Sequence, residues 1–303
     1  MLIVISSVKG APGVTTLAVG LAALWPEPDA VLVEADPAGG DLAARFGHSP
    51  EPGLTGLAAQ AHTGTLASLA PFTQRLAVGA DVVLAPAGET VAASTFTLAT
   101  RGLQALRRLA EQQPVLVDVG RLEQSSPAAG LLGVADHVLV LADGELAAQT
   151  QVEARLGWVR SVVTGRLWLV RTGAGGYPGR EIARDLGVPV LWELPDSQLG
   201  AGALAGRLRA PAWRRLRLAR AVRGVALTLT TAQPASILAA EPVGSIMSTD
   251  PAVRAHYAPP VAAVPPVIQA AAHQPRAQQR MEPRPAEQQS GPVQRPEPVQ
   301  VRP

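Results

Sequence analysis

A short segment near the amino terminus carries residue types that suit a phosphate-binding loop. It runs from Lys9 to Thr16 as Lys-Gly-Ala-Pro-Gly-Val-Thr-Thr, between an apolar run and a helical pattern. In such a loop, backbone amides and the positive end of the helix converge on an anion. The glycines permit close backbone approach, and the threonine hydroxyls can cap the helix or bind Mg²⁺. The predicted binding residues are Lys9, Gly10, Gly13, Val14, Thr15 and Thr16.

Lysine usage points to the same segment. Of the 26 basic residues, 25 are arginine and one is lysine, and that lysine is Lys9. A chain that otherwise uses arginine keeps an ammonium group at this one position. The lone lysine therefore favours a functional loop over an ordinary strand-to-helix turn.

Residues 1–235 contain alternating elements that could position this loop. Apolar runs predict buried strands, and the helical patterns between them predict helices on both faces of a parallel sheet. The predicted strands are 2–6, 30–35, 76–79, 82–85, 114–119, 137–142, 167–171 and 188–194. The predicted helices are 15–25, 91–113, 145–163, 180–186, 197–209 and 212–226. The predicted fold class is α/β, with a mainly parallel sheet flanked by helices.

Composition excludes several other kinds of site. The 303 residues include no cysteine, which excludes disulfides, thiolate metal sites and a cysteine nucleophile. A net charge of +2 is too small to indicate a general polyanion-binding protein. No segment has the pattern of a signal peptide or the roughly 18 apolar residues of a spanning helix. We therefore expect a soluble, cytoplasmic protein with no transmembrane segment.

The composition changes near residue 235, which predicts a domain boundary. Residues 241–303 hold 13 of the 28 prolines and show no apolar period. Proline removes a backbone donor, and a segment with so little to bury does not fold alone. We predict a folded domain over 1–235 and a disordered Pro/Ala/Gln-rich tail over 236–303. The tail either has no fixed partner or offers Pro-rich segments to another protein.

A basic segment precedes this boundary. It contains seven arginines and no acidic residue, namely Arg207, Arg209, Arg214, Arg215, Arg217, Arg220 and Arg223. Apolar residues at helical spacing predict a closing helix with one buried face, formed by Leu218, Ala221, Val222 and Val225. The arginine face is either solvated or binds DNA phosphates or anionic lipid, and Trp213 favours lipid.

Four segments together resemble the ParA/MinD group of ATPases, in the SIMIBI class of P-loop proteins. The group's deviant Walker A loop reads K-G-G-x-G-K-T-[TS], to which residues 9–16 are similar. Residues 34–41 (Glu-Ala-Asp-Pro-Ala-Gly-Gly-Asp) look like its D-x-D-P-x-G switch segment. Residues 115–120 look like its Walker B strand, and residues 187–196 look like its last strand. The resemblance spans about residues 1–210 and implies the same fold.

The resemblance also implies roles for particular residues. Lys9 matches the signature lysine, which in that family reaches the phosphates of the opposite subunit in an ATP-sandwiched dimer. Asp36 matches the aspartate that positions the attacking water. Thr15 and Asp118 match positions that serve Mg²⁺, directly or through water. The implied cofactors are ATP and Mg²⁺, and the implied assembly is a homodimer.

Three departures from the family pattern affect the expected activity. Val14 replaces the lysine that bridges the β- and γ-phosphates, and losing such a group costs roughly 10²–10³ in rate. Pro12 lacks a backbone N–H group that could have donated a hydrogen bond to a phosphate. Arg171 and Thr172 stand where family members often place an asparagine for adenine. These departures predict weak ATP binding with little or no hydrolysis.

Three functions are open at this stage. In the first, the chain is a ParA/MinD-like protein that positions or regulates a cellular assembly. Degenerate loops of this kind are familiar in the TadZ/CpaE-like branch of Tad (Flp) pilus systems, which implies a pilus or secretion ATPase as partner. In the second, it is an active ParA-type ATPase in chromosome or plasmid partitioning. In the third, it is a nucleotide-free scaffold that uses the arginine segment and the tail. Lipid binding would place it at the membrane periphery.

Overall fold

The computed structural model describes residues 1–9, 13–26 and 28–232. Gly10, Pro12 and the predicted tail and domain boundary lie outside these residues, so the boundary stays a prediction. The strands are β1 Leu2–Ser7, β2 Val31–Glu34, β3 Thr73–Arg75, β4 Asp81–Val83, β5 Val115–Arg121, β6 His137–Asp143, β7 Arg166–Thr172 and β8 Val190–Glu193. The helices are α1 Val14–Leu24, α2 Leu42–Phe46, α3 Leu54–Thr63, α4 Thr90–Arg101, α5 Leu103–Gln112, α6 Leu146–Val162, α7 Gly179–Leu186, α8 Gln198–Leu204 and α9 Arg217–Thr231.

The strands form one sheet of eight strands in the order β3-β4-β2-β5-β1-β6-β7-β8. All neighbouring pairs are parallel except β3 and β4, which form an antiparallel edge. The predicted α/β class with a mainly parallel sheet is confirmed. In this order β2, β5 and β1 are neighbours, so the segments that follow them meet at one edge of the sheet.

Helices cover both faces of the sheet. Alternate residues of β1 enter two separate cores, with Leu2 and Val4 in one and Ile3 and Ile5 in the other. Buried residues of α3, α4, α5, α6 and α7 belong to the first core, and those of α1, α2, α8 and α9 belong to the second. This two-sided burial explains why β1 is an unbroken apolar run.

The strand predicted over 76–79 was wrong in position, because β3 lies just before it, over Thr73–Arg75. Residues 76–79 form a turn between β3 and β4, in which the Leu76 amide donates to the Ala80 carbonyl at 2.8 Å. Gly79 has a φ of 90°, a left-handed conformation that suits a turn and not a strand. The apolar side chain of Leu76 is fully buried, and its hydrophobicity had suggested a strand.

The single helix predicted over 91–113 is in fact two helices, α4 and α5, separated at Gly102. A Cβ atom at Gly102 would lie 3.1 Å from the Cβ of Ala61, so the chain passes very close to α3 at this point. The helical period of apolar residues continues through the break, which hides it in the sequence. Helices α2 and α3 were not predicted at all.

Candidate phosphate-binding site

The carboxyl ends of β1, β2 and β5 surround an open cleft of about 730 Å³. The strand register places Asp118 of β5 opposite Ile5 of β1 and Glu34 of β2. Ligands of open parallel sheets bind at this edge. Residues of the loop, the segment after β2 and the end of β5 line the cleft together, including Gly13, Thr15, Thr16, Asp36, Gly120 and Arg121.

The described part of the loop enters α1 through a left-handed glycine, a conformation that other residues rarely adopt. Gly13 has φ 98° and ψ 29°, a left-handed conformation, and its carbonyl accepts the Leu17 amide at 2.8 Å. Thr15 and Thr16 are half-buried in the first turn of α1 and line the cleft. Lys9 is exposed at the end of the described loop and is absent from the cleft-lining residues, while Gly10 lies outside the described residues. The structure therefore brings together Gly13, Val14, Thr15 and Thr16 of the predicted set.

Val14 is a core residue as well as a cleft residue. It is 6% exposed and belongs to the same apolar core as Leu17 and Leu21. An isopropyl group can donate no hydrogen bond, so position 14 contributes only its backbone amide to an anion. A lysine at this position would add a positive charge at the cleft, and valine does not.

Asp118 is fully buried below the cleft. Its Oδ1 accepts the Gly120 amide at 2.9 Å, while its Oδ2 has no hydrogen-bond partner among the residues that the structure describes. The pKa of Asp118 is raised to about 7, chiefly by burial and to a smaller extent by the nearby carboxylates of Asp36 and Glu34. The Thr15 hydroxyl and the Gly120 amide oppose this rise in pKa.

An unpartnered carboxylate oxygen beside a threonine hydroxyl suits a hard divalent cation. Mg²⁺ prefers oxygen ligands and binds through one or two carboxylates, with waters completing its coordination. Asp118 and Thr15 are the residues that would hold it, the former directly or through water. The cation would neutralise negative charge around the phosphates and the buried carboxylate.

Asp36 lies over the backbone of Gly120. Its Oδ1 accepts the Ala38 amide at 2.9 Å, which shapes the loop after β2. Burial raises the pKa of Asp36, the Asp41 charge adds to this rise, and the Ala38 amide and Arg121 oppose it. A Cβ atom at Gly120 would lie 1.9 Å from Asp36 Oδ2, so only glycine leaves room for this carboxylate.

Gly120→Ala is expected to lower the free energy of unfolding by about 2 kcal/mol, measured by urea denaturation. Gly120 has a φ of 59°, so alanine would combine left-handed backbone strain with displacement of the Asp36 carboxylate. Gly64→Ala is the matched control, because Gly64 has φ 73° and nothing within 4 Å of an added Cβ. It should cost about 1 kcal/mol from strain alone. Equal costs for the two variants would contradict the contact with Asp36.

Glu34 has a role that the sequence analysis did not identify. It is 2% exposed, and its Oε1 accepts the amides of Asp41 and Leu42 at 2.8 and 3.0 Å. Its Oε2 accepts the Ala85 amide at 2.9 Å. One carboxylate thus holds the segment after β2 against the segment after β4. A charged residue at the end of a buried strand was the available signal, because such a group needs several donors.

Arg171 supports a loop from within the fold. It is 8% exposed and donates to the carbonyls of Tyr177 and Gly173 at 2.8 and 3.0 Å, and also to that of Gly175. It also pairs with Glu193 at 3.2 Å. The guanidinium donors of Arg171 are therefore engaged by carbonyl and carboxylate groups of the same chain. The following residue, Thr172, lines a smaller cleft of about 310 Å³ next to the phosphate loop.

The helix predicted over 212–226 starts later than expected, because residues 213–215 form a separate short helical turn. Helix α9 begins at Arg217, and only Arg217, Arg220 and Arg223 lie exposed on it. Its predicted apolar face is largely confirmed, with Leu218, Val222 and Val225 buried and Ala221 half-buried. Trp213 is 7% exposed, with the Arg214 guanidinium 5.2 Å from its ring centre, so its ring is not free to enter lipid. Among the described helices, none is both long and apolar enough to cross a membrane.

No protein-family model and no curated protein matches the chain. Solved structures do match it. A ParA family ATPase from Chlorobium tepidum TLS has a TM-score of 0.60 and 18% identity, with 75% of this chain and 98% of that chain covered. The septum site-determining protein MinD from Pyrococcus horikoshii OT3, solved with Mg-ADP, has a TM-score of 0.57 and 15% identity, with 76% and 96% covered.

A third solved structure, McdA from Cyanothece, has a TM-score of 0.56 and 19% identity, with 75% of this chain and 98% of that chain covered. The three proteins share with this chain the mostly parallel sheet and the helices on both of its faces. The likeness extends over nearly the whole length of each of them. The chain therefore has the fold of the ParA/MinD-type P-loop ATPases.

Proposed function

We propose that this protein binds ATP or ADP with Mg²⁺ and uses the bound state to position or regulate a cellular assembly. The observation that carries the proposal is the buried Asp118, whose unpartnered Oδ2 lies below the cleft and whose carboxylate is close to the Thr15 hydroxyl in the first turn of α1. The backbone amides at the start of α1, next to the left-handed Gly13, would bind the phosphates. The Asp118 carboxylate and the Thr15 hydroxyl would bind the cation. The solved MinD with Mg-ADP supports the choice of ligand.

Hydrolysis is proposed to be slow or absent. Val14 offers no ammonium to a transferring phosphoryl group, and loss of one such group costs roughly 10²–10³ in rate. Asp36 lines the cleft, where it could orient a water, so the protein would have the water-positioning carboxylate without the usual lysine. If the nucleotide binds without rapid hydrolysis, the nucleotide-bound state of the protein would persist for a long time.

Lys9 is proposed to act between two copies of the chain. Its side chain is exposed while the neighbouring Val8 is 3% exposed, so it extends away from its own core. A nucleotide-dependent homodimer would bring it to the phosphates of the second copy. The partner is proposed to be a protein of a pilus or secretion apparatus. Exposed Arg217, Arg220 and Arg223 would add contacts to DNA or anionic lipid, at the membrane periphery in the second case.

Calorimetric titration of the full chain with MgATP and MgADP tests the nucleotide site. We expect wild-type dissociation constants below about 1 mM and an affinity at least roughly tenfold lower in Thr15→Ala, because the hydroxyl serves Mg²⁺. Thr97→Ala is the matched control, since Thr97 is a half-buried helical threonine, as Thr15 is, and donates to its own helix. It should bind as the wild type does.

Lys9→Ala, studied in the same titration and by sedimentation, tests the shared dimer. It should lose nucleotide-dependent dimerisation and weaken ATP binding. Failure of the wild type to bind at millimolar nucleotide would contradict the proposal and favour the nucleotide-free scaffold. Rapid turnover that Asp36→Ala abolishes would instead favour the active partitioning ATPase.

A further inference from the structure

Three arginines line the phosphate cleft, and two of them face carboxylates of their own. Arg45 pairs with Asp41 across one turn at the start of α2. Arg121 lies close enough to Asp36 to lower the pKa of that carboxyl. Arg207 has no ion-pair partner among residues 1–9, 13–26 and 28–232. Arg121 forms no direct ion pair among these residues either, but its charge already acts on Asp36. Arg207 is therefore the cleft arginine best placed to meet a ligand.

Arg207 lies where the two clefts meet. Gly13, Thr16 and Arg207 line both the 730 Å³ cleft and the 310 Å³ cleft beside it. The first two belong to the phosphate loop and the first turn of α1. Arg207 therefore lies on the same side of the site as the loop amides, although its segment is almost 200 residues away in the chain.

The backbone around Arg207 is held in place. Its amide donates to the Gly202 carbonyl at 2.9 Å, which closes the end of α8. The preceding Gly206 has a φ of 72°, and a Cβ there would lie 2.8 Å from the Arg45 carbonyl and 3.2 Å from the Phe46 ring. A Cβ at Gly202 would lie 2.5 Å from the Leu208 side chain. The residue before Arg207 and the residue after it are thus both packed against fixed neighbours.

We propose that Arg207 supplies the cationic contact to the nucleotide phosphates that Val14 cannot supply. The inference rests on the proposed nucleotide site and assigns one of its binding residues. Val14 is buried and apolar, so position 14 supplies no cation to the cleft. A guanidinium binds phosphate oxygens through charge-assisted, often paired hydrogen bonds. An anion bound at the loop and at α1 would lie between these amides and Arg207.

The test compares the full-length wild type, Arg207→Ala, Arg207→Lys and Arg209→Ala by calorimetric titration with MgADP. Arg209→Ala is the matched control, because Arg209 is an equally exposed arginine two residues away that lines neither cleft. Arg207→Ala should bind MgADP roughly 10- to 100-fold more weakly than the wild type. Arg207→Lys should bind with an affinity between these two, because it keeps the charge and loses the paired donors. Arg209→Ala should match the wild type.

Competition by inorganic pyrophosphate against a fluorescent ADP analogue shows which part of the nucleotide Arg207 contacts. Pyrophosphate lacks the base and sugar, so its affinity should fall by a similar factor in Arg207→Ala. An unchanged pyrophosphate affinity, an unchanged MgADP affinity, or equal losses in Arg207→Ala and Arg209→Ala would each overturn the assignment. Absence of MgADP binding by the wild type would overturn the proposed nucleotide site itself, which separates the two failures.

Discussion

Asp118→Asn is expected to stabilise the nucleotide-free protein, and the gain over the wild type should increase with pH. Asp118 is fully buried with a pKa of about 7, whereas an aspartate in an unfolded chain titrates near 3.9. The folded wild type therefore holds a proton that the unfolded chain has lost. This bound proton stabilises the folded protein fully below about pH 4, and the stabilisation is lost as the pH rises towards 7. Asparagine stays neutral throughout and avoids that loss.

The size of this effect follows from the two pKa values. A difference of about 3 units corresponds to about 4 kcal/mol at the upper limit, and roughly half of it should develop between pH 5.5 and pH 8. Urea denaturation of both proteins at these two pH values measures it. Any effect of the asparagine side chain on stability that does not vary with pH cancels when the results at the two pH values are compared. A free-energy difference that does not change with pH would show that Asp118 ionises in the folded protein as it does in water.

Glu34→Ala is expected to lower the free energy of unfolding by roughly 3 kcal/mol or more. The substitution leaves the buried amides of Asp41, Leu42 and Ala85 without their acceptor, and each such loss costs roughly 1–3 kcal/mol. Removal of a carboxyl whose pKa is raised by burial offsets part of this cost. The segment that carries Asp36 should also become more mobile, because two of the three hydrogen bonds, those from Asp41 and Leu42, hold its C-terminal end.

Urea denaturation at neutral pH measures the loss in Glu34→Ala. Glu34→Gln should lie between the wild type and Glu34→Ala, because its amide oxygen can still accept from Asp41 and Leu42 while its NH₂ group meets the Ala85 donor. Glu153→Ala on the exposed face of α6 is the control and should change stability by less than about 0.5 kcal/mol. A loss of that small size in Glu34→Ala would show that the three amides find other acceptors.

The α/β class and the position of the loop could be predicted from the sequence because both depend on local patterns. A strand buried on both faces is an apolar run whatever its neighbours are, as β1 shows. Gly13, Thr15 and Thr16 form their part of the site within a few residues of one another. The order of the Asp36 and Asp118 segments along the chain supported the ParA/MinD resemblance, and the solved structures confirm that fold.

The sequence by itself determined the α/β class with its mainly parallel sheet, and it located the glycine- and threonine-containing segment between β1 and α1. Tertiary structure alone decided that Glu34 holds three amides, that Arg171 supports its own loop and that Arg207 enters the cleft. The break at Gly102 was likewise decided by a neighbour distant in the chain, Ala61 of α3. The physical reason is that hydrophobic periodicity records which face of an element is buried. The partner of a polar side chain depends on which strands and loops the sheet order brings together.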